Sequence, residues 1–279
     1  MKRKHRAALR KSFVYTFLIF YAIFTLLPIY WVFVTSVKPS SEVESFPPTL
    51  LPHAFSLEHY KFVFLKTRVV RSIVNSLLVT LAVTGISLVS ASMAGYSLAR
   101  FRFPGKNALS AAILGLYLIP PVVNVIPLFL LLRTLGLLNT LWALILAYQA
   151  LVLPLLTFLL RNYFESIPQE LEESALVDGC TRLGALWRVT LPLSIPGLAT
   201  AAIFAFIFSW NEFIFALLFL FSDELKTFQL TLMEFVKLYR IDWGALTAAM
   251  VIGMAPVIFF LIVAQRYLIA GLLGGAIKR

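Results

Sequence analysis

Six long apolar runs constrain this chain more than any other feature of its sequence. Each run is long enough to cross the hydrocarbon core of a membrane as a helix, which takes about 20 residues. In lipid only a helix or a closed barrel satisfies its own backbone hydrogen bonds, and the alternating pattern of a membrane barrel is absent. We therefore predict an all-α integral membrane protein with six transmembrane helices. The predicted spans cover residues 12–36, 72–98, 108–132, 140–162, 196–221 and 244–270.

The composition agrees with a membrane protein. Hydrophobic residues make up 60% of the 279 residues and charged residues only 13%, whereas about a quarter of a soluble domain is charged. The first apolar run follows Lys2-Arg3-Lys4 and so resembles a signal peptide, but it is too long and has no small-residue cleavage site. We interpret it as a retained membrane anchor.

The cysteine and histidine residues do not indicate a disulfide or a metal site. Cys180 is the single cysteine, so no internal disulfide can form. The three histidines, His5, His53 and His59, do not have the spacing of metal ligands. We therefore expect no bound metal and no cofactor.

The positive charges orient the predicted spans in the membrane. With the N-terminus in the cytoplasm, fifteen of the 24 Lys and Arg residues face the cytoplasm and nine face outwards. This bias follows the positive-inside rule, so we expect both termini in the cytoplasm. The net charge of +11 then reflects topology, and binding of nucleic acid is not expected.

This topology divides the chain into segments. A basic cytoplasmic arm (residues 1–11) precedes the first transmembrane helix (12–36) and an external loop (37–71). Residues 72–270 form a core of five transmembrane helices, and residues 271–279 form a cytoplasmic tail.

The cytoplasmic loop at residues 161–195 has the pattern of a helix, a turn and a second helix. Ser166 and Gln169 have the spacing of a capping box at the start of the first helix. Asp178-Gly179 would end that helix, because glycine accepts the positive φ of a helix stop. Thr181 is expected to cap the second helix.

This hairpin is acidic in an otherwise basic chain. Between Glu165 and Thr190 it carries five acidic residues and two arginines, a net charge of −3. The cytoplasmic leaflet is itself anionic and attracts basic segments. We therefore expect the hairpin to bind a groove on a protein partner. An amphipathic hairpin that lies on the lipid surface is the alternative.

The hairpin resembles the EAA loop in the permeases of binding-protein-dependent ABC importers. Its residues follow the family pattern of Glu-Ala-Ala, Asp-Gly and Leu-Pro in order. It departs from the pattern at Ser174 and Cys180, where alanine is usual, and both replacements are small. The residues to which the resemblance assigns coupling to an ATPase are Glu173, Ser174, Ala175, Asp178, Gly179, Leu191 and Pro192.

Four further stretches resemble the sugar-transporting branch of this family, specifically its maltose-type second permease subunit. They follow one another in the order expected of that branch. The stretches are LIPPVVNVIPLFLLLRTLGLLNT (118–140), WNEF (210–213), DWGALTAA (242–249) and QRYLIAGLLGGAIKR (265–279).

The resemblance implies a permease subunit of an ATP-driven importer for sugars or related small polyhydroxylated solutes, in the bacterial inner membrane. The hairpin would then be the coupling helix, which docks on a dimer of cytoplasmic ATP-binding subunits and couples their closure to alternating access. Further implied partners are a second homologous permease, an external solute-binding protein and membrane lipid. The tail at 271–279 would also reach towards the ATPase. A basic terminus held near lipid headgroups is the alternative for this tail.

The chain itself is not expected to bind ATP or to be an enzyme. Its only Gly-Lys pair, Gly105-Lys106, lacks the first glycine and the hydroxyl residue of a phosphate-binding loop. The spans contain no paired carboxylates and no histidine beside a nucleophile. ATP hydrolysis is therefore expected in a separate subunit.

Polar groups within the predicted spans indicate a solute pathway, because such groups are costly in lipid. Glu212 is the only acidic residue within a predicted span, and Trp210 and Asn211 precede it. Asn124 follows Pro120-Pro121, and broken helices at depth often mark transporter sites. Asn124, Trp210, Asn211 and Glu212 are therefore the pathway candidates. For Glu212, hydrogen bonds to neighbouring helices are the alternative.

Two other functions fit the sequence less well. An ion-coupled secondary transporter would act without an ATPase, but such proteins usually carry more ionisable groups within the membrane than Glu212 alone. An ABC permease for a non-sugar solute such as a glycerol phosphate is the other alternative, although the Glu212 carboxylate would repel an anion. A dependence of uptake on ATP or on a proton gradient separates the importer from the secondary transporter.

Overall fold

The computed structural model describes residues 2–236 and 241–276, and the side chains of residues 11–236 and 241–267. The described residues are nearly all helical, apart from loops and an isolated antiparallel bridge between Val236 and Ile241. Residues 1–10 of the predicted basic arm and the whole predicted tail, residues 271–279, lie outside the described side chains.

The helices of the described residues follow one another with short connections. In chain order they are α1 (Lys2–Ser36), α2 (Ser40–Val43), α3 (Glu58–Lys66), α4 (Val69–Arg100), α5 (Lys106–Leu118), α6 (Val125–Thr134), α7 (Leu141–Glu165), α8 (Glu170–Val177), α9 (Arg182–Ala185), α10 (Leu191–Leu193), α11 (Ile195–Asn211), α12 (Ile214–Phe219), α13 (Phe228–Leu232) and α14 (Trp243–Ala276). A 3₁₀ turn at Pro121–Asn124 precedes α6, and a π-helical turn at Leu186–Thr190 joins α9 to α10.

The chain divides into two compact units. The first comprises Met1–Val69 and Leu232–Met254, and it contains α1, α2 and α3. The second comprises Val70–Thr231 and Ala255–Arg279, and it contains the hairpin and the pathway candidates.

Four helical segments of the described residues are long and apolar enough to cross a membrane. They are Lys11–Ser36, Val69–Arg100, Leu141–Glu165 and Trp243–Tyr267. These segments confirm apolar helices at the first, second, fourth and sixth predicted spans. The two inner segments, Val69–Arg100 and Leu141–Glu165, begin and end within three residues of the predicted spans 72–98 and 140–162, because the length of an apolar run sets the length of the helix that crosses lipid.

The third predicted span consists of two helical segments. Lys106–Leu118 and Pro121–Thr134 meet at an angle of 98°. The break falls at Pro120-Pro121, where the ring of each proline removes a backbone donor and disfavours a continuing helix. The predicted interruption of this span is confirmed.

The fifth predicted span, residues 196–221, is wrong as a continuous helix. The helix α11 ends at Asn211 and α12 begins at Ile214. Between them Glu212 has an extended backbone, with φ of −69° and ψ of 133°. Hydropathy does not detect this break, because the residues on both sides of Glu212 are apolar enough to continue a span.

The helix α7 lies at the centre of the second unit and packs against α5, α11 and α12. Its fully buried side chains include Tyr148, Leu156, Leu160 and Phe164. These residues recur at intervals of about four or eight, which places them on one face of a helix. The core of the second unit is built on this face.

The helix α4 approaches α7 closely at Gly95. A Cβ atom at this position would lie 3.0 Å from the backbone N of Arg161 and 3.2 Å from the carbonyl O of Thr157. The run of small residues from Thr84 to Gly95 predicts close helix packing, because small side chains let helices in membranes approach each other. The close approach is confirmed at Gly95.

Replacement of Gly95 by leucine should destabilise the protein, because the new side chain would overlap backbone atoms of α7. Overpacking of this kind costs about 1–3 kcal/mol. The matched control is Gly85→Leu on the same helix, where nothing lies within 4 Å of an added Cβ. Thermal unfolding of the purified protein in detergent measures the difference. Equal midpoints for the two variants would contradict the close packing at Gly95.

Candidate functional site

The acidic hairpin has the two helical arms that the sequence predicts. Its first arm is α8, and its second arm runs from Arg182 to Leu193 through α9, the π-helical turn and α10. The second arm then meets α11 at an angle of 81°, with the bend at Ser194. The hairpin thus lies between the end of α7 and the start of α11.

The predicted capping box at Ser166 and Gln169 is wrong. Ser166 Oγ donates to the carbonyl O of Tyr163 at 2.7 Å, so this side chain belongs to the last turn of α7. Gln169 precedes α8 without a side-chain capping bond. Three acidic residues fill the first turn of α8 instead, where the unpaired N–H groups and the helix dipole favour negative charge.

The turn between the two arms is confirmed at Asp178-Gly179. Gly179 has φ of +87°, a conformation that favours glycine. Its N–H donates to Leu176 O at 3.1 Å, and the N–H of Cys180 donates to Ala175 O at 2.9 Å. This pair of bonds is a Schellman motif, which satisfies the last carbonyl groups of α8.

Two further predicted residues fix the second arm. Thr181 Oγ1 accepts from the N–H of Gly184 at 3.1 Å, which confirms the predicted cap. Leu191 is partly buried and packs against the core of the second unit, whereas Pro192 is exposed in the last turn of the arm. The arm is therefore capped at its first residues and packed against the core near its end.

The acidic residues of the predicted coupling motif lie on the outer face of the hairpin. Glu173, Ser174 and Asp178 are all exposed. In the part of the chain with described side chains, neither Glu173 nor Asp178 makes an ion pair. Leu171 and Val177 are 47% and 87% exposed on the same arm. The outer face thus combines unpaired negative charge with exposed apolar side chains.

Glu172 is buried, unlike the other acidic residues of α8. Its Oε1 accepts from Arg100 Nε and from Thr190 Oγ1, each at 2.8 Å, and it forms an ion pair with Arg100 Nη2 at 2.7 Å. Its Oε2 accepts from the Tyr96 hydroxyl at 3.0 Å. Arg100 Nη2 also donates to the carbonyl O of Ile167 at 3.0 Å. The carboxylate therefore ties α4, α8 and the second arm together.

The same contacts keep Glu172 ionised. Burial raises the pKa of Glu172, but the hydrogen bonds from Arg100, Thr190 and Tyr96 and the charge of Arg100 lower it by more, so that the pKa lies below its ordinary value of 4.5. Because the pKa is lowered in the folded protein, the carboxylate contributes fully to stability above about 4.5. That contribution is lost as the pH falls through the lower, folded-state pKa.

No feature of the sequence assigned a role to Glu172. The motif alone offers no way to distinguish Glu172 from Glu173, because both are acidic and helical. A weak signal is the spacing of Glu172 with Ala175 and Leu176, which are three and four residues further along and partly buried. These residues share the inner face of α8.

A cavity of about 460 Å³ lies beside the break between α11 and α12. Its lining includes Pro121, Tyr148, Asn211 and Glu212, and its other side chains are mostly apolar. The structure thus brings together two of the pathway candidates, Asn211 and Glu212. Tyr148 was not among the predicted residues, and its signal in the sequence is weak: a hydroxyl-bearing side chain in an apolar run.

The other two pathway candidates do not line this cavity. Trp210 is 3% exposed, and its ring stacks on Phe206 with 6.0 Å between the ring centroids. Its carbonyl O accepts from Gln229 Nε2 at 2.9 Å. Asn124 ends the 3₁₀ turn that Pro121 begins, and only Pro121 of this turn reaches the cavity.

The Glu212 carboxylate already has three donors within the chain. Its Oε1 accepts from the N–H of Phe215 at 2.9 Å, and its Oε2 accepts from the N–H of Ala216 at 3.3 Å. Oε2 also accepts from the Tyr148 hydroxyl at 2.6 Å. Glu212 therefore caps the first turn of α12 and joins it to α7. These contacts agree with the alternative of hydrogen bonds to neighbouring helices.

Replacement of Glu212 by alanine should destabilise the protein by roughly 1–2 kcal/mol, because two backbone donors at the start of α12 lose their acceptor. The matched control is Asn211→Ala, which removes an exposed side chain that donates to Ile207 O in its own helix at 2.9 Å. Thermal unfolding in detergent is again the measurement. An effect of Asn211→Ala as large as that of Glu212→Ala would argue against the capping role.

The chain matches a known protein family and several individual proteins. A family described as the binding-protein-dependent transport system inner membrane component matches residues 86–273. The sulfoquinovosyl glycerol transport system permease protein SmoH of Agrobacterium fabrum is 36% identical, over 91% of this chain and 89% of its own. The trehalose/maltose transport system permease protein MalG of Thermococcus litoralis is 34% identical, over 92% of this chain and 93% of its own.

The fold also matches a solved structure. A chain in the crystal structure of a bacterial ABC transporter involved in the import of the acidic polysaccharide alginate aligns with a TM-score of 0.80. It is 26% identical in sequence, and the alignment covers 92% of this chain and 95% of that one.

Proposed function

Because the chain belongs to the family of binding-protein-dependent transport system inner membrane components, we propose that it forms part of the translocation path for sugars or related polyhydroxylated solutes. Family membership makes it a permease subunit of an ABC importer, and such subunits are not themselves enzymes. The apolar helices of spanning length agree with a multi-pass protein of the inner membrane. The observation that carries the proposed docking on ATP-binding subunits is the acidic outer face of the hairpin.

The hairpin docks on the cytoplasmic ATP-binding subunits. Exposed Glu173 and Asp178 present negative charge, and exposed Leu171 and Val177 present apolar surface, on one arm that a groove can receive. A groove with a basic rim and an apolar floor complements this face. Anionic lipid does not, because like charges repel.

Docking on cytoplasmic subunits implies one orientation of the chain in the membrane. The hairpin and both termini face the cytoplasm, as the distribution of Lys and Arg indicates. Residues 1–11 then form a cytoplasmic arm, residues 37–71 an external loop, and residues 271–279 a cytoplasmic tail. A second homologous permease and an external solute-binding protein complete the importer.

The solute is a carbohydrate or a closely related polyhydroxylated molecule. The similar proteins named above transport sulfoquinovosyl glycerol, trehalose or maltose, and alginate according to their descriptions. The cavity wall combines the exposed side chain of Asn211 with mostly apolar side chains, which suits a molecule with hydroxyl groups and apolar faces. The charge of Glu212 decides little between neutral and anionic solutes, because its oxygens are already bonded within the chain.

The test of this function is gentle extraction of the tagged chain in detergent, followed by mass spectrometry of the proteins that co-purify. We expect an ATP-binding subunit and a second permease in stoichiometric amounts. ATP-dependent uptake of sugars by the complex in vesicles would follow. A monomer or homodimer that transports without ATP and requires a proton gradient would replace the importer with an ion-coupled secondary transporter.

The turn of the hairpin offers a more local prediction. Gly179→Val should abolish ATP-driven uptake, because an L-residue in the left-handed conformation costs about 1–2 kcal/mol and the turn would rearrange. Nothing lies within 4 Å of an added Cβ at Gly179, so the effect is one of backbone conformation alone.

The control for this prediction is Gly179→Asn. Asparagine tolerates the left-handed conformation better than other side chains, so this variant should keep most of the uptake. Uptake is measured in vesicles, with the amount of each variant in the membrane fraction as the check on insertion. Normal uptake by Gly179→Val would contradict the coupling role of the turn.

A further inference from the structure

Both covalent ends of the hairpin are breaks in helical structure. Residues 166–169 separate α7 from α8, and the chain bends by 81° at Ser194 between the second arm and α11. A break in a helix is a place where backbone dihedrals can change, so two such breaks form hinges rather than rigid connections. The covalent connections alone therefore do not fix how the hairpin moves with the transmembrane helices.

A buried ion pair makes the rigid connection instead. The side chains of Arg100 and Glu172 are 4% and 3% exposed, and Nη2 of Arg100 lies 2.7 Å from Oε1 of Glu172. The pair bypasses both hinges, because Arg100 is the last residue of α4 and Glu172 lies in the first turn of α8. Buried charges that are fully hydrogen-bonded hold one geometry, since any other arrangement leaves a charge unpaired away from water.

The guanidinium group of Arg100 holds two parts of the chain at once. Its Nε donates to Glu172 Oε1, whereas its Nη2 donates to the carbonyl O of Ile167 in the hinge before α8 and lies 2.7 Å from the same Oε1. Thr190 of the second arm also donates to Oε1 of Glu172. The planar fork of arginine permits this geometry, and the single ammonium group of lysine does not.

The helix that receives this connection is itself held in the core. Gly95 lies about one and a half turns before Arg100 on α4, and its backbone is in close contact with α7 at Arg161 and Thr157. If the hairpin moves and displaces Arg100, α4 moves with it, and the close contact at Gly95 makes α7 move with α4.

We propose that the Arg100–Glu172 pair is the joint through which movement of the hairpin is transmitted to the transmembrane helices, so that α4 and the hairpin move as one body. This inference rests on the proposed function, since it assumes that the ATP-binding subunits move the hairpin. Arg100, Glu172 and Thr190 are then positioning residues for coupling, whereas Glu173 belongs to the docking face.

The first experiment uses the assembled importer in vesicles and compares solute uptake with ATP hydrolysis. Glu172→Gln preserves the shape of the side chain and removes its charge. We expect this variant to retain its ATP-binding subunits and hydrolyse ATP, while uptake per ATP hydrolysed falls about tenfold, because Arg100 is left buried without its counter-ion. An unchanged ratio of uptake to hydrolysis would overturn the proposal.

Two controls separate transmission from other roles. Glu165→Gln removes the nearby pair between Arg161 and Glu165, whose side chains are 21% and 40% exposed, and it should leave the ratio unchanged. Glu173→Lys reverses a charge on the docking face and should instead reduce the amount of ATP-binding subunit that co-purifies. A fall in the ratio for Glu165→Gln equal to that for Glu172→Gln would also count against the proposal.

A second measurement leaves the buried pair intact and decides the question even if Glu172→Gln fails to assemble. Cysteines are introduced at the exposed residues Arg102 and Leu183 in a Cys180→Ser background, and spin labels on them report the distance between the end of α4 and the second arm. We expect this distance to be the same with and without a non-hydrolysable ATP analogue. A change of several ångströms would show that the hairpin turns independently of α4 and would overturn the proposal.

The two proposals fail in different ways. If the unmodified complex transports without ATP or contains no ATP-binding subunit, the proposed function fails whatever the distances are. If uptake requires ATP and the distance changes with nucleotide, the proposed function stands and the joint is elsewhere.

Discussion

Polar groups that are removed from water must be paired within the chain, and this constraint governs where the helices of the second unit can stop. The helix α11 ends inside an apolar run, and the carboxylate of Glu212 accepts from the N–H groups of Phe215 and Ala216 at the start of the next helix. Asn139 acts similarly beyond α12, where its Oδ1 accepts from the N–H groups of Phe221 and Ser222 at 2.9 Å. A polar side chain thus accompanies each of these helix ends, and the breaks are stable parts of the fold.

The same constraint gives two neighbouring glutamates opposite roles. A carboxylate without a partner is costly to bury, so Glu173, which forms no ion pair with the side chains that the structure describes, lies at the surface. Glu172 is buried because Arg100, Thr190 and Tyr96 all donate to it. The position of Arg100 at the end of α4 therefore determines which face of α8 turns outward. The outer face of the hairpin therefore depends on a pair that is itself buried.

The sequence predicts those features of the structure that depend on residues close together in the chain. The fourth predicted span, residues 140–162, is observed as Leu141–Glu165, because apolar length sets the extent of a span. The turn at Gly179 is predicted because it depends on backbone conformation alone. The role of Glu172 is not predicted, because its partner Arg100 lies 72 residues away in sequence. The break at Glu212 is not predicted either, because its capping bonds have no hydropathy signal.

Two helices, α7 and α11, run between the hairpin and the cavity, and they are held together near the hairpin and near the cavity. The helix α11 has 17 residues and so spans about 25 Å, from the bend that follows the second arm to Asn211 in the cavity wall. Near the hairpin, a Cβ at Gly197 would lie 2.6 Å from the ring of Tyr163, so α11 and α7 are in close contact there. At the cavity, the Tyr148 hydroxyl of α7 donates to Glu212 at 2.6 Å. A sliding movement of one helix past the other would break a contact at each end. The positions of α7 and α11 are therefore coupled near the hairpin and at the cavity alike.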